Sequence, residues 1–546
     1  MLPGYTVAQI RDAEARAISR VGGDALMQTA ATGLAAAILR RLRTHTAPEE
    51  RATPHTAPEE RATPHTAPEE RAAGRGARHE GPSHPGALRD AAGFVPHPAA
   101  PQGAVGGGAP QAAVRRTGVY GSRVLLAVGS GNNGGDALFA GAILARRGVR
   151  VTAWRPGASV HEAGWAEFLA AGGREVDAAA ALADLGAQRC VVDGVAGIGS
   201  RPGLAAPVAA LASACRERRV PVVAVDLPSG LAPEPPFADE PHFTADLTVT
   251  FGGYKLCQLL EPARSECGEV ELVDIGIELP EPTVSQWEPA DLAAVWPVPD
   301  ARSDKYSRGV VGLDTGSVHF PGAAVLTAAG AVAAGAGMVR YLGPAEAASR
   351  VLDRFPNVVA APGRVQALVL GSGWGDREDG GAVARAVASG DPVLVDADGL
   401  RHLPARGHAA VLLTPHAGEL ARLLGVERAT VAADPLAAVR AAVDRTGCTV
   451  LLKGATQYVA SPLDDRLHLA LPGSAWTAQA GSGDVLAGIC GTLLAAGLAV
   501  VAAALAGASV QALAARTTPG PVPPQDVRLP VVGLQSFLPA IPVTPT

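Results

Sequence analysis

One aspartate in a glycine-rich turn suggests the chemistry around which this sequence can be read. Asp484 stands in AQAGSGDVLA (Ala478 to Ala487), between a short run ending near Trp476 and a long apolar helix expected to begin near Gly483. Gly481 and Gly483 let the backbone approach a ligand closely and take positive φ. Amides at the positive end of a helix dipole attract phosphate oxygens. A carboxylate in that first turn repels bound phosphate, so it adds little to binding. It makes sense as a base that deprotonates a hydroxyl attacking a phosphoryl group. The bland alternative is a helix cap, and the neighbouring motifs weigh against it.

Three more loops carry chemistry-bearing residues. RVLLAV leads into GSGNNGGD (Gly129 to Asp136), CVVD into DGVAGIGSRPG (Asp193 to Gly203), and VPVVAVD into LPSG, with Asp226 at the strand's end. Polar residues and glycines just past the carboxyl ends of parallel strands lie where open α/β sheets bind ligands. Gly134 and Gly135 would leave room for a pyrophosphate, and the amides around them offer donors. Strand-terminal aspartates such as Asp193 and Asp226 also start turns, so the convergence of loops, not any one of them, carries the reading.

These loops need α/β scaffolds to hold them. Thr6 and Gln9 have capping-box spacing, opening an amphipathic helix to about Ser19, with a second helix around Asp24 to Arg43. HTAPEERATP then repeats with a period of ten, and Gly-, Pro- and Ala-rich sequence follows. Such composition buries too little apolar surface to offset ordering entropy, so 44–116 is expected to be a disordered insertion. The spaced His45, His55 and His65 are read as repeat expansion rather than a metal site. From Arg123 the α/β alternation starts, with the helix after GSGNNGGD expected over Ala137 to Arg147. A Pro-rich connector, Pro280 to Pro299, separates it from a second alternation containing VVGLDTGS, ALVLGSGWG, PVLVDADGL, VLLTPHAGEL and CTVLLKG. The expected domains are 1–281, a linker at 282–302, 303–516, and a Pro-rich tail at 517–546.

Composition excludes several classes. A net charge of −6 gives no footprint for nucleic acid or anionic membrane. The cysteines Cys190, Cys215, Cys257, Cys267, Cys448 and Cys490 form no CxxC pair, which suits a reduced, cytoplasmic protein and argues against zinc or disulfides. The start of the chain lacks the basic and apolar runs of a signal peptide. Leu493 to Ala515 is uncharged but rich in Ala and Gly, and is expected to be a buried helix pair rather than a membrane span.

In order, GSGNNGGD, DGVAGIGSRPG and VDLPSG resemble the signature of NAD(P)H-hydrate epimerase domains. DTGSVHFPGAAVLTAAGAVAAGAGMV, LGSGWG, VDADGL, TPHAGEL, LLKG and AGSGDVLAGI resemble the ADP-dependent NAD(P)H-hydrate dehydratases, a ribokinase-like family. The resemblance covers about 6–43 and 119–281, then 303–515. It implies two doubly wound three-layer α/β domains, the first Rossmann-like and the second ribokinase-like. It also implies two activities on reduced nicotinamide nucleotides hydrated at ring carbon 6 (NADHX and NADPHX). The first half would interconvert the R and S epimers. The second would phosphorylate the hydroxyl of the S form with ADP, release AMP and eliminate phosphate.

Residue by residue, the resemblance implies that Asn132, Asn133, Gly134, Gly135 and Asp136 cradle the hydrated nucleotide. Gly197, Ile198, Gly199, Ser200, Arg201, Pro202 and Gly203 would complete its phosphate contacts, with Asp226 as substrate contact and proton shuttle. Asn133, Asp193 and Ser229 would hold a potassium ion. Lys255, in FGGYK, matches a family lysine, although a solvated surface lysine would explain it equally well. In the second half Ala323, Gly373, His416 and Asp484 would meet the substrate. Lys453, Gly454, Ala455, Thr456, Gln457 and Gly483 would take the adenine nucleotide, and a magnesium ion is expected on its phosphates. Ala137, Gln457 and Gln479 depart from the commoner family residues. Asp396 and Asp398 could serve phosphate or metal chemistry, or merely end a strand. The implied partners are these small molecules, with self-association left open. A ribokinase-like small-molecule kinase fused to a nucleotide-binding scaffold is the alternative, and a stable phosphorylated product would favour it.

Overall fold

The computed structural model describes residues 1–44, 119–199, 201–377, 381–518, 520–526 and 528–529. The expected insertion at 44–116 lies outside them except for Thr44, as do Ser200 and most of the expected tail. Among the described residues the strands form one sheet of seven and one of eleven.

The seven-stranded sheet runs Arg174–Glu175, Arg150–Trp154, Arg123–Val128, Cys190–Gly194, Val222–Val225, Leu247–Phe251 and Glu269–Val273, all parallel. Its central strands are mostly apolar and almost wholly buried, as parallel strands covered on both faces must be, with Asp193 the buried exception near one carboxyl end. The chain order reverses between Arg123–Val128 and Cys190–Gly194, so the loops after those two strands diverge and leave a crevice. Helices Gly23–Thr44 and Asn132–Arg146 contribute to the core on one face of this sheet, and Ala206–Arg218 to the core on the other. Thr6 and Gln9 form the expected capping box, and the helix they open runs over Val7–Val21.

In the larger sheet, Met338–Tyr341, Val310–Asp314, Ala367–Leu370, Val393–Val395, Val411–Leu413 and Thr449–Leu452 are parallel. Two antiparallel strands follow, Tyr458–Ser461 and Asp464–Leu469. The helices Pro321–Ala333, Ser482–Ala495 and Val500–Thr517 contribute to one hydrophobic core. The last of these is long and apolar enough to cross a membrane. Two-thirds of its apolar window (67%) is buried inside the protein, consistent with the expected helix pair.

The sheet then continues into chain expected to belong elsewhere. Val284–Gln286 pairs with Asp464–Leu469, Leu2–Tyr5 pairs with Val284–Gln286, and Tyr254–Lys255 pairs with Leu2–Tyr5. The stretch 282–302, expected as a linker, therefore supplies a strand of the second sheet. It also supplies the helix Pro289–Val295, opened by a capping box between Glu288 and Asp291, with Trp287, Leu292 and Trp296 in the core. Proline richness hid a strand only three residues long.

Candidate functional site

Two sites emerge, one at each sheet's carboxyl edge. In the first half a cleft of about 720 Å³ opens at the crevice between the diverging loops. Asn132, Asn133, Asp136, Gly197, Ile198, Gly199 and Asp226 line it, together with Arg11 and Glu14 from the first helix. The helix after GSGNNGGD begins at Asn132, five residues earlier than expected, so NNGGD is its first turn rather than a loop. The reason lies in the two glycines. A Cβ on Gly134 would stand 2.0 Å from the Gly129 carbonyl oxygen, and one on Gly135 would stand 2.9 Å from the His161 ring. Both are buried, and they let the turn close onto the strand-end loop rather than form the wall of the cleft. The free N–H groups of Asn132 and its neighbours then lie at the helix's positive end, beside the cleft.

The wall built by the second loop ends at Gly199. Arg201 and Pro202 are exposed and outside it, the Gly203 N–H donates to the Gly230 carbonyl at 2.9 Å, and Ser200 lies outside the described residues.

Asp226 sits just beyond Val222–Val225 with φ 68, a left-handed conformation that is costly for a residue with a Cβ. Its amide donates to the Val249 carbonyl at 2.7 Å, and Gln258 Nε2 donates to its carbonyl at 2.6 Å. Its carboxylate accepts from Lys255 Nζ and, at 3.2 Å, from Thr250 Oγ1. Lys255 is 1% exposed and also donates to Thr250 Oγ1 at 2.8 Å and to the Phe251 carbonyl at 2.9 Å. The surface reading of Lys255 is therefore wrong. Burial, Asp226 and Glu14 push the Asp136 carboxyl well above its ordinary range, and burial followed by Asp226 raises Glu14.

Asp193 and Ser229 bond to each other, while Asn133 lines the cleft. Asp193 is fully buried and accepts from the Ser229 amide at 2.7 Å and from Ser229 Oγ at 2.6 Å. Burial pushes it up to about 6. Asn133 Nδ2 donates to the Val225 carbonyl at 2.8 Å, and its Oδ1 faces the position a Cβ on Gly197 would occupy.

In the second half Asp484 lies in the first turn of Ser482–Ala495, with Gly481 at φ 90 ahead of it. Gly483 is helical, and its bare Cα leaves room for Lys453, whose Nζ would be 3.2 Å from an added Cβ. Lys453 Nζ donates to Asp396 Oδ1 at 2.6 Å and lies 4.0 Å from Glu419. Burial works to lower the Lys453 ammonium, but Asp396, Glu419 and Asp484 outweigh it and hold it above its ordinary value. Asp396 also accepts from Ser372 Oγ at 2.9 Å and Thr414 Oγ1 at 2.8 Å, so donors already surround it. Burial, then the Asp396 charge, pushes Asp484 up to about 7 against the opposing pull of Lys453.

Gly373 packs on Ala323, since a Cβ there would stand 2.5 Å from the Ala323 Cβ. His416 caps Ala417–Leu424, its Nδ1 accepting from Gly418 N at 3.0 Å and Glu419 N at 3.2 Å, while its Nε2 lies 3.2 Å from Glu419. Gly454 and Ala455 are exposed. Thr456 Oγ1 accepts the Glu261 amide at 2.8 Å, and the Gln457 carbonyl accepts Ala470 N at 3.1 Å. Asp398 accepts from Gly375 N and Arg401, each at 2.8 Å.

The family comparisons match both halves. A family model described as NAD(P)H-hydrate dehydratase covers residues 311–520, and one described as YjeF-related protein N-terminus covers 104–257. The bifunctional NAD(P)H-hydrate repair enzyme Nnr of Mycobacterium leprae is 44% identical over 428 residues, 76% of this chain and 87% of the relative. That of Mycobacterium tuberculosis (strain H37Rv) is 46% identical over 398 residues, 70% and 81% respectively. This chain belongs to the bifunctional NAD(P)H-hydrate repair enzyme family. The Escherichia coli member is 32% identical over 424 residues, 72% of this chain and 81% of the relative. A solved Bacillus subtilis ADP/ATP-dependent NAD(P)H-hydrate dehydratase is 24% identical, covering 47% of this chain and 99% of that one, with a TM-score of 0.43.

Sequence reasoning about this repair enzyme missed Glu14, Ser372 and Glu419. Glu14 had a signal. Ile10, Ala13 and Ala17 form the buried stripe of its helix, and Glu14 falls four residues after Ile10, on that stripe's edge. Among the described residues no group of three or more His, Cys, Asp or Glu could hold a metal ion.

Proposed function

We propose that the two halves act in turn on one damaged cofactor, the first equilibrating the epimers of hydrated NADH and NADPH, the second returning the S form to NAD(P)H at the expense of ADP. The observation that carries the reading is the state of Asp484. It is a carboxyl raised to about 7, at a helix N-terminus, beside a lysine and next to Gly481–Gly483. A base works best when its pKa lies near the operating pH, and no phosphate-binding role requires one there.

In the first half the Asn132 helix terminus and the Gly197–Gly199 wall would bind the nucleotide, and Asp226, oriented by Lys255, Gln258 and Thr250, would shuttle the proton. A potassium ion fits the set Asn133, Asp193 and Ser229. These are hard oxygen ligands, and Asp193 is a fully buried carboxylate to which, among the described residues, no cationic side chain is bonded. Bound there, potassium would stabilise the ionised Asp193 and the two loops it links.

In the second half ADP would lie along Lys453 to Gln457 and at Gly483. Lys453 and the Gly481–Gly483 amides would neutralise the transferred phosphoryl group, and Asp484 would take the proton of the hydroxyl. Ala323 and Gly373, packed together, would form a small-residue floor for the substrate, with His416 beside Lys453. Magnesium would sit on the nucleotide's phosphates, retaining most of its waters. Asp396, already bonded to three donors, is better suited to orient Lys453 than to ligate metal. Six buried free cysteines suit a cytoplasmic setting.

The test is Asp484→Asn in the full chain. Dehydration of the S form should fall by about 10³-fold, within the range for loss of a general base, while epimerisation should stay within twofold of the parent. Parent-rate dehydration by that variant would remove Asp484 from the mechanism.

A further inference from the structure

We propose that Asp136 is the second proton carrier of the epimerase site, donating to the departing hydroxyl of the hydrated ring while Asp226 takes the proton of the returning water. This rests on the epimerase reading above, and goes beyond a cradle role for Asp136.

Four carboxylates line one cleft: Glu14 from Val7–Val21, Asp24 from Gly23–Thr44, Asp136 from the first turn of Asn132–Arg146, and Asp226 from the end of Val222–Val225. Their surroundings differ. Asp226 is bonded to the buried ammonium of Lys255 and to the Thr250 hydroxyl, so its carboxylate is matched by a cation and held in place. Asp136 is only 8% exposed, and among the described residues its side chain makes no hydrogen bond, although it lines the cleft. A carboxyl so placed holds its proton more tightly than an ordinary aspartate, since ionising it would bury a negative charge beside the Asp226 and Glu14 carboxyls. The other charged or titratable groups facing it are Arg11 from the first helix, Asp24 from the second, and His161, which caps Glu162–Ala170 and accepts the Gly164 amide through Nδ1. None of these is bonded to Asp136. One carboxyl paired with an ammonium and another without a bonded partner are the unequal environments that acid–base chemistry needs.

The step balances without any redox partner. The C6–O bond breaks with its electron pair on oxygen, Asp136 supplies the proton that makes water the leaving group, and the ring nitrogen's lone pair closes the N=C6 bond. Water then adds to the other face of C6, the N=C6 pair returns to nitrogen, and the released proton passes to Asp226. The reverse reaction runs both protons back. After a forward turnover, exchange with solvent returns a proton to Asp136 and removes the one taken up by Asp226.

The experiment measures R-to-S conversion of hydrated NADH by the full chain and its Asp136→Asn variant across pH, with dehydration of the S form by the same samples reporting on folding. The parent should lose rate on the alkaline side as Asp136 ionises. Asp136→Asn should lower kcat at least about 100-fold, with little change in KM and no alkaline limb, and Asp136→Glu should recover part of both. A kcat within threefold of the parent, an unchanged pH profile, or a rise in KM alone would overturn the proposal. Should Asp136→Asn also lose dehydration, the Asp136→Glu profile decides, and an alkaline limb at the parent's position would overturn the assignment. A parent that dehydrates but does not epimerise would sink the epimerase reading itself, and this proposal with it.

Discussion

Both halves place a lysine beside the carboxylate they are proposed to use, and they wire it differently. In the first half Lys255 donates directly to Asp226, so charge is matched within the pair. In the second half Lys453 donates to Asp396, and Asp484 is left to burial and to Asp396's own charge, which raise it to about 7. Strong pairing gives an oriented group with its counter-charge at hand. Diverting the lysine gives a carboxyl that accepts a proton near neutral pH and still leaves a cation for the phosphoryl oxygens. The same two residue types thus serve two chemistries, and the deciding residue is Asp396, which sequence alone left undecided.

The largest effect should come from breaking the direct pair. Lys255→Met leaves Asp226 buried without its cation, a change that costs about 3–5 kcal/mol in comparable buried pairs. Epimerisation should fall by at least about 100-fold and the first half should melt earlier, which calorimetry on the full chain would register. Unchanged melting would mean that Asp226 does not depend on Lys255. A smaller effect follows from rewiring the second half. Asp396→Asn removes a charge that raises Asp484 and frees Lys453 to meet it, so the acidic limb of the dehydration pH profile should move down by about one unit. A limb that stays in place would show that Asp396 does not set the base's pKa.

The smallest effect is one of stability. The folded-state pKa of Asp484, about 7, lies above its ordinary 3.8, so the folded protein holds that proton more tightly than the unfolded chain. The corresponding stabilisation is complete below the ordinary value and is lost as pH rises through about 7. Melting temperature should therefore decline modestly between pH 5 and 8, and Asp484→Asn should flatten part of that decline. An equally steep decline in the variant would show that other groups dominate.

The parts legible in the sequence were those where local pattern and tertiary role coincide. GSGNNGGD and DGVAGIGSRPG follow apolar runs and AGSGD precedes one, and each sits at a sheet's carboxyl edge or opens a helix there. The Thr6–Gln9 box opened its helix because capping is local. Lys255 was not legible, because its partner Asp226 is brought to it by a fold, not by spacing: it ends a two-residue strand that pairs with Leu2–Tyr5. Asp396 and Ser372 lie on neighbouring strand-end loops and bond each other, and Asp396 meets Lys453 only across the sheet. Val284–Gln286 was hidden for a similar reason, since three residues between prolines show no period.

The strand Leu2–Tyr5 also has a bearing on biosynthesis. It emerges from the ribosome long before Val284–Gln286, and longer still before Asp464–Leu469, the hairpin arm that completes the ladder. Until then the nascent chain carries open backbone edges of the kind that recruit stray strands. Dissecting the gene between its two catalytic modules would make that transient exposure permanent in both fragments. The fused gene thus keeps both halves of the ladder on one polypeptide.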